Sequence, residues 1–327
     1  MSHVFRTNIF RTAAVAALLM AASPASAEMA SPFAPVVPKG SPSACKDAVP
    51  DVVTNLAVTS MYDQNDESRS TIDEDQLETY TEGMSGLRDF LTYVTKAASD
   101  YVASDGKKVA KAACALAWID SWARGDAMSD LDTRQSALSS TRIVAGMGMA
   151  YLAVRPYAEA VDFDSSAIEA WFEARARNFI TVYTGDDRGS NSSNHRYWGG
   201  FAVAVSGVVA DDRELLDWGI ESYRIGVCQI DARGALPLEL ERAKKARDYH
   251  LHAIAPLVMI AELAEANGTD AYGLCDGAIR GDRLAWVEPY FKRFGGSEKD
   301  YGIKLNRPLF SSNLGGRLTS MVAAKSG

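Results

Sequence analysis

Leu87-Arg88-Asp89-Phe90-Leu91-Thr92-Tyr93-Val94 and Ala115-Leu116-Ala117-Trp118-Ile119-Asp120-Ser121-Trp122 are the stretches on which the fold turns. In the first, Leu87, Phe90, Leu91 and Val94 recur at spacings of three and four; in the second, Ala115, Trp118, Ile119 and Trp122 do the same. That period lays each apolar set on one face of an amphipathic helix. Further helical blocks follow at about 129–155, 164–184, 197–209, 213–228, 237–266, 270–279 and 283–293. They break at turns such as Gly185-Asp186-Asp187-Arg188-Gly189 and Asn267-Gly268. Period-two alternation is scarce, with one short strand-like run from Leu56 to Tyr62. The expected fold is all-α, an array of antiparallel helix hairpins in one domain. Pro256 is expected to kink or restart the helix that holds it.

Working outward, the N-terminus reads as an address. Met1 to Ala27 carries Arg6 and Arg11, an apolar run from Ala13 to Met20, and a closing Ala25-Ser26-Ala27. This pattern is expected of a cleaved secretory signal peptide rather than of an N-terminal membrane anchor, because its apolar run is too short to span a bilayer. The expected mature chain is therefore residues 28–327, exported to the periplasm and not membrane-bound after cleavage. Ser31 to Pro50 is an extended Pro/Ser-rich arm, and the polar stretch Asp63 to Thr71 is a mobile loop candidate. Export permits disulfides, and Cys45, Cys114, Cys228 and Cys275 allow three pairings. A bridge from Cys45 would pin the arm to the helical body. There is no C-x-x-C motif, so zinc or thioredoxin-like chemistry has no support.

The 327 residues include 42 acidic and 34 basic side chains, a net charge of −8. Without the leader, which holds two arginines and no acid, the balance becomes −10. Such a chain is a poor nucleic-acid binder, because phosphate backbones need a basic surface. A single locally basic cleft for a small or polymeric anion is still compatible with it.

Two segments depart from the pattern of apolar stripe and solvated face. The first is Asn191-Ser192-Ser193-Asn194-His195-Arg196-Tyr197-Trp198-Gly199-Gly200, ahead of an apolar helix. An amide, an imidazole, a guanidinium and two aromatics at a helix entry suit an anion or a sugar. The alternative is a capped helix start with a packed Trp198. The second runs from Gly234 to His252 and contains Pro237, Glu239, Arg242, Lys244, Lys245, Arg247, Tyr249 and His250. Arg242 and Tyr249 are seven apart, so a continuous helix aims them the same way. Lys244 and Lys245 read as a solvated face. The histidines of the mature chain, His195, His250 and His252, all fall in these segments, where proton transfer near neutral pH would need them. His250 and His252, two apart, converge poorly on a metal.

At these two segments the sequence resembles the alginate lyases of polysaccharide lyase family five. The family's Asn-Asn-His-x-Tyr-Trp motif stands here as Ser193-Asn194-His195-Arg196-Tyr197-Trp198. Its second motif stands as Leu236-Pro237-Leu238-Glu239-Leu240, Arg242 and Tyr249-His250. Weaker similarity continues through Thr59 to Tyr62, Arg69-Ser70-Thr71, Cys114 to Trp118, Trp286 to Tyr290 and Leu314-Gly315-Gly316. The resemblance implies an incomplete (α/α) toroid with a deep cleft and a lid loop around 62–72. It further implies a monomeric enzyme, free of metal and cofactor, that cleaves a (1→4)-linked β-uronan by β-elimination. In the family's pattern Asn194, His195 and Arg242 neutralise the uronate carboxylate, and Tyr249 serves as base and acid. Tyr62, Arg69, Gln135, Arg196, Tyr197, Trp198 and His250 are expected to bind substrate, with Arg242 and His250 making the Tyr249 phenol more acidic.

The chain departs from the family's usual pattern at Ser193, at Met61, where alginate-specific members usually carry lysine, and around Ser140-Thr141-Arg142. The last two touch substrate subsites and the lid, which opens glucuronan or a hyaluronan-like polymer beside polymannuronate. Two other classes compete. A glycoside hydrolase needs two carboxylates across the scissile bond, and Glu239 and Glu241, two apart on a helix, diverge. A non-catalytic uronan-binding protein has no need of the histidine, arginine and tyrosine positions.

Overall fold

The amphipathic stripe of Leu87, Phe90, Leu91 and Val94 is buried along α2 (Ser85–Ala103), and that of Ala115, Trp118, Ile119 and Trp122 along α3 (Val109–Arg124). The two faces meet through stacked rings: Phe90 lies 3.6 Å from Trp122 and Tyr93 lies 3.5 Å from Trp118, centroid to centroid. The computed structural model describes residues 28–185, 189–231 and 235–277. Residues 1–27, expected as a leader, the block expected at 283–293 and the stretches Trp286–Tyr290 and Leu314–Gly316 lie outside the described residues. So does part of the Gly185–Gly189 turn.

The remaining long helices are α1 (Glu74–Gly83), α4 (Arg134–Ala160), α5 (Ser166–Thr184), α6 (Asn194–Ala210) and α7 (Arg213–Val227). After them come the single turn α8 (Pro237–Leu240), a 3-10 turn (Ala243–Lys245), α9 (Ala246–Ala266) and the short α10 (Leu274–Gly277). Side-chain caps start several of them. Asp73 accepts from Gln76 N–H, Thr133 from Ser136 N–H, and Asp212 from Glu214 and Leu215 N–H. Consecutive helices pack as hairpins, and the array curves into an incomplete (α/α) toroid with α6 at its centre, against α4, α5, α7 and α9. α4 is long and apolar enough to cross a membrane, yet 94% of its apolar window is buried in the fold, as in a core helix.

α6 can sit so centrally because glycines let its neighbours approach. A Cβ at Gly200 would lie 2.3 Å from the Ser222 Cβ of α7, and one at Gly199 would lie 2.2 Å from the Tyr183 ring of α5. Every residue from Arg196 to Val209 on α6 is buried.

Four boundaries differ from the sequence reading. Residues 129–133 are not helical, because β2 (Asp130–Leu131) pairs in parallel with β1 (Asn55–Leu56). The strand-like run beyond Leu56 contributes only an isolated antiparallel bridge between Tyr62 and Ile72. The block expected at 237–266 divides into α8, the 3-10 turn and α9. Pro256 lies inside α9, which continues unbroken to Ala266.

The N-terminal arm lies along the body. Tyr101 donates to the Val36 carbonyl, Trp122 Nε1 to that of Pro50, and Lys39 N–H to that of Gly106. Of the three possible pairings, the cysteines adopt Cys45–Cys114 and Cys228–Cys275. The first fastens the arm to α3; the second fastens the end of α7 to α10.

Candidate active site

A cleft of about 560 Å³ opens where the N-terminus of α6, the first half of α4, the loop 62–72 and the segment from α8 to α9 converge. Its wall carries Arg69, Arg134, Arg142 and Arg242 with His195 and His252, against Glu67, Glu239 and Glu241. A basic cleft thus forms in a chain of net charge −8. Low-dielectric walls focus such charge on an anionic ligand.

The first turn of α6 delivers Asn194 and His195. Asn194 is 2% exposed, and its backbone N–H donates to Glu239 Oε1 at 2.8 Å. Its amide Nδ2 lies 3.1 and 3.0 Å from the two Glu239 oxygens. His195 is held through its carbonyl, which accepts from the Tyr183 hydroxyl at 2.7 Å. Trp198, one turn on, also reaches the cleft, and its indole N–H donates to the His252 carbonyl at 3.0 Å.

Arg242 and Tyr249 meet without a continuous helix between them. The 3-10 turn brings the guanidinium over the phenol ring, 3.7 Å from its centroid. The same guanidinium lies 5.2 Å from the Tyr62 ring and donates to the Arg69 carbonyl. Tyr249 donates to the Tyr62 hydroxyl at 2.8 Å. Both ends of the loop 62–72 are therefore tied to the pair. The loop itself is a compact turn around Asp66. The Asp66 carboxylate accepts from the backbone N–H groups of Ser68, Ser70 and Thr71, and the bonds from Ser68 and Thr71 hold it well below the usual carboxylate range.

Burial is the largest single influence on the titrating groups here. It pushes the Tyr249 phenol well above its ordinary value, with nearby Tyr62 adding to the effect and Arg242 opposing it. The expected acidification of Tyr249 is therefore reversed: one guanidinium does not offset desolvation of a phenolate. Burial likewise drives His252 well below the usual histidine range, reinforced by Arg142, His195 and Arg242. It raises Glu239, against the Asn194 hydrogen bonds and Arg242. On Tyr80 burial loses: Arg142, which donates to its hydroxyl at 2.9 Å, joins Ser139 and Arg88 in lowering it.

Of the residues expected at the site, Asn194, His195, Arg242, Tyr249, Tyr62, Arg69, Gln135 and Trp198 line the cleft. Three expected substrate contacts do not. Arg196 is rotated about 200° round α6 from Asn194; it stacks on Trp218 at 3.8 Å and donates to Ser222, both on α7. Tyr197 is 1% exposed and donates to the Ser192 carbonyl. His250 points into the body, its Nε2 accepting from Leu236 N–H at 3.0 Å and its Nδ1 facing the Ala246 carbonyl at 2.7 Å. Its role is to join α8 to α9. Lys244, Lys245 and Arg247 also lie off the cleft.

The reading from sequence gave no site role to His252, Arg142, Tyr80, Arg134 or Glu239, all of which stand on the cleft wall, although it had named His252 and Glu239 in the second segment. A signal existed for two of them. His252 is three residues from Tyr249 and so shares its face, whereas His250 is one away. Gln135, Leu138 and Arg142 follow the same i, i+3, i+7 stripe.

An amide, an imidazole and a guanidinium gathered beside a phenol can neutralise an anionic group and move a proton next to it, which is the chemistry of an enzyme acting on an acidic substrate. The family model "Alginate lyase" matches residues 57–280, and the chain belongs to that family. The alginate lyase of Pseudomonas aeruginosa PAO1 is 28% identical over 329 residues, covering 88% of this chain and 88% of that protein. The alginate lyase of Azotobacter vinelandii DJ is 30% identical over 313 residues, covering 90% and 82%. Among solved structures, alginate lyase A1-III from Sphingomonas species A1 superposes with a TM-score of 0.60 at 26% identity, over 77% of this chain and 71% of that one. A variant of that enzyme complexed with a tetrasaccharide superposes with a TM-score of 0.61 at 24% identity, over 77% and 70%.

Proposed function

We propose that the chain is a periplasmic lyase that cleaves the mannuronate blocks of alginate by metal-independent β-elimination. The observation that carries this reading is Arg242 stacked on Tyr249 in the same cleft as Asn194 and His195. The C5 proton of a uronate is poorly acidic while its carboxylate is charged. Donors clamped on that carboxylate stabilise the enolate-like charge that develops at C5. Asn194, His195 and Arg242 form the clamp. The Tyr249 oxygen takes the C5 proton, the C4–C5 double bond forms as the C4–O4 bond breaks, and the phenol returns the proton to O4. One residue can do both because the proton and the leaving oxygen lie on the same face of mannuronate. Since burial favours the neutral phenol, the reaction draws on its phenolate fraction.

Around this centre, Arg69, Arg134 and Arg142 offer cations to neighbouring uronates, and Tyr62, Gln135 and Trp198 offer hydrogen bonds and a ring face to the sugars. The loop 62–72, tied to Arg242 and Tyr249, acts as the lid. The hydrolase reading is disfavoured because both Glu239 oxygens are engaged by Asn194. Met61 on the cleft wall supports a second substrate, glucuronan, for the same chemistry.

The test follows the ultraviolet absorbance of the 4,5-unsaturated end on polymannuronate, polyguluronate, glucuronan and hyaluronan. Wild type gives the signal most strongly with polymannuronate, and Tyr249→Phe, with a native circular dichroism spectrum, gives none. New reducing ends without absorbance would overturn the lyase reading, and near-normal turnover by the variant would overturn the role of Tyr249. Recovery in the periplasmic fraction of a chain beginning at Glu28 tests the export.

A further inference from the structure

Glu239 is a buried carboxyl group on the wall of a cleft built for an anion, 1% exposed. Its partners come from one residue: Asn194 donates to it from the backbone and from the side-chain amide. Among the described residues no ion pair forms on it, and Arg242 approaches without bonding to it. Meanwhile the Asn194 Oδ1 is buried and without a hydrogen-bond partner. A charged Glu239 enforces this arrangement, because a carboxylate can only accept and so takes the amide's NH2 group. That leaves an orphaned carbonyl oxygen and commits the amide's donor group to Glu239.

Turning the amide by half a rotation exchanges the orphaned acceptor for an NH2 group that has no partner within the protein and can take one from the substrate. Oδ1 then lies about 3 Å from the Glu239 oxygens, where Nδ2 now stands. Two oxygens at that distance need a proton between them.

We propose that Glu239 is a positioning residue that works as a neutral carboxylic acid, accepting from Asn194 N–H and donating its own proton to Asn194 Oδ1. The amide NH2 is thereby aimed at the uronate carboxylate. The clamp acquires a donor, and the N-terminus of α6 is relieved of a competing anion. This inference rests on the proposed lyase chemistry for the role of Asn194.

The charged and titratable groups around Glu239 are compatible with a neutral acid. Arg242 and Glu241 of its own segment oppose each other in sign. From α6 it faces Asn194 and the Tyr197 phenol. From α9 comes His250, whose ring already accepts from Leu236 N–H. Burial, which raises the Glu239 carboxyl, acts in the same direction as the geometry.

Glutamine copies the protonated acid, since its Oε1 can accept from Asn194 N–H and its Nε2 can donate to Oδ1, and it cannot ionise. Leucine of similar size can do neither. With polymannuronate as substrate, Glu239→Leu should lose about 100-fold in kcat through misaimed Asn194, and Glu239→Gln should recover most of that loss. The Glu239→Gln profile should also continue to rise with pH where the wild type levels off. Independently of turnover, wild type at its optimum pH should show the infrared carbonyl stretch of a buried carboxylic acid, missing in Glu239→Gln. A folded Glu239→Gln as slow as Glu239→Leu would overturn the proposal, and so would the absence of that band from wild type. If wild type forms no unsaturated ends from any uronan, the lyase reading falls instead, while the infrared band still reports the state of Glu239.

Discussion

Gly199→Ala tests how the fold positions the site from behind. The added Cβ would lie 2.2 Å from Tyr183 Cε2 and 2.7 Å from Cζ, so the ring must retreat by about 1.2 Å to reach an ordinary 3.4 Å contact. Tyr183 is 1% exposed, so the retreat pushes into packed neighbours. Overpacking of this kind costs about 1–3 kcal/mol. The retreat also breaks the 2.7 Å bond from the Tyr183 hydroxyl to the His195 carbonyl, adding about 1 kcal/mol. A total of about 2–4 kcal/mol lowers Tm by roughly 3–6 °C for a chain of this size. Because the broken bond anchors the residue that clamps the substrate, kcat/KM should fall by about 100-fold, the cost of an ångström of misplacement. Thermal circular dichroism and the unsaturation assay read the two effects. Tyr183→Phe separates them, since it removes the bond without the overlap and should lose activity with a much smaller loss of Tm. A Gly199→Ala protein with unchanged Tm and unchanged kcat/KM would refute the reasoning.

Two further predictions concern pH and the arm. Burial raises the Tyr249 phenol, so the phenolate that serves as base grows with pH. Below the ionisation of Glu239, kcat/KM should therefore climb about tenfold per pH unit, and a profile that falls across the acid-to-neutral range would contradict Tyr249 as base. The Cys45–Cys114 bridge spans a sequence separation of 69 residues. Closing a loop of that length stabilises by about 4 kcal/mol in the chain-entropy account. Cys45→Ala with Cys114→Ala should lower the urea midpoint accordingly without shifting kcat, because the arm lies away from the cleft.

The comparison of Tyr249 with His250 and His252 shows where linear reading reaches its limit. Both histidines stood in a motif segment, and the resemblance favoured His250 because it adjoins the tyrosine. A helix advances 100° per residue, so the neighbour in sequence faces elsewhere and the residue one turn away faces the cleft. The same geometry removed Arg196 and Tyr197 from the site while keeping Asn194 and Trp198 in it. Arg242 and Tyr249 were correctly paired for an incorrect reason, since a 3-10 turn rather than an unbroken helix superimposes them.

By itself the sequence determined the helices, because apolar periodicity is a local property of consecutive residues, and through its two motifs it marked Asn194, His195, Arg242 and Tyr249 as chemistry. Tertiary structure alone decided which cysteines pair, which cations share one cleft and which phenols and carboxyls burial shifts upward. Those outcomes depend on distance and desolvation between segments far apart in the chain: Arg69 against Arg242, Tyr62 against Tyr249, Asn194 against Glu239. A linear pattern carries no measure of burial, and burial is the largest influence raising the Tyr249 phenol and the Glu239 carboxyl on which the proposed chemistry turns.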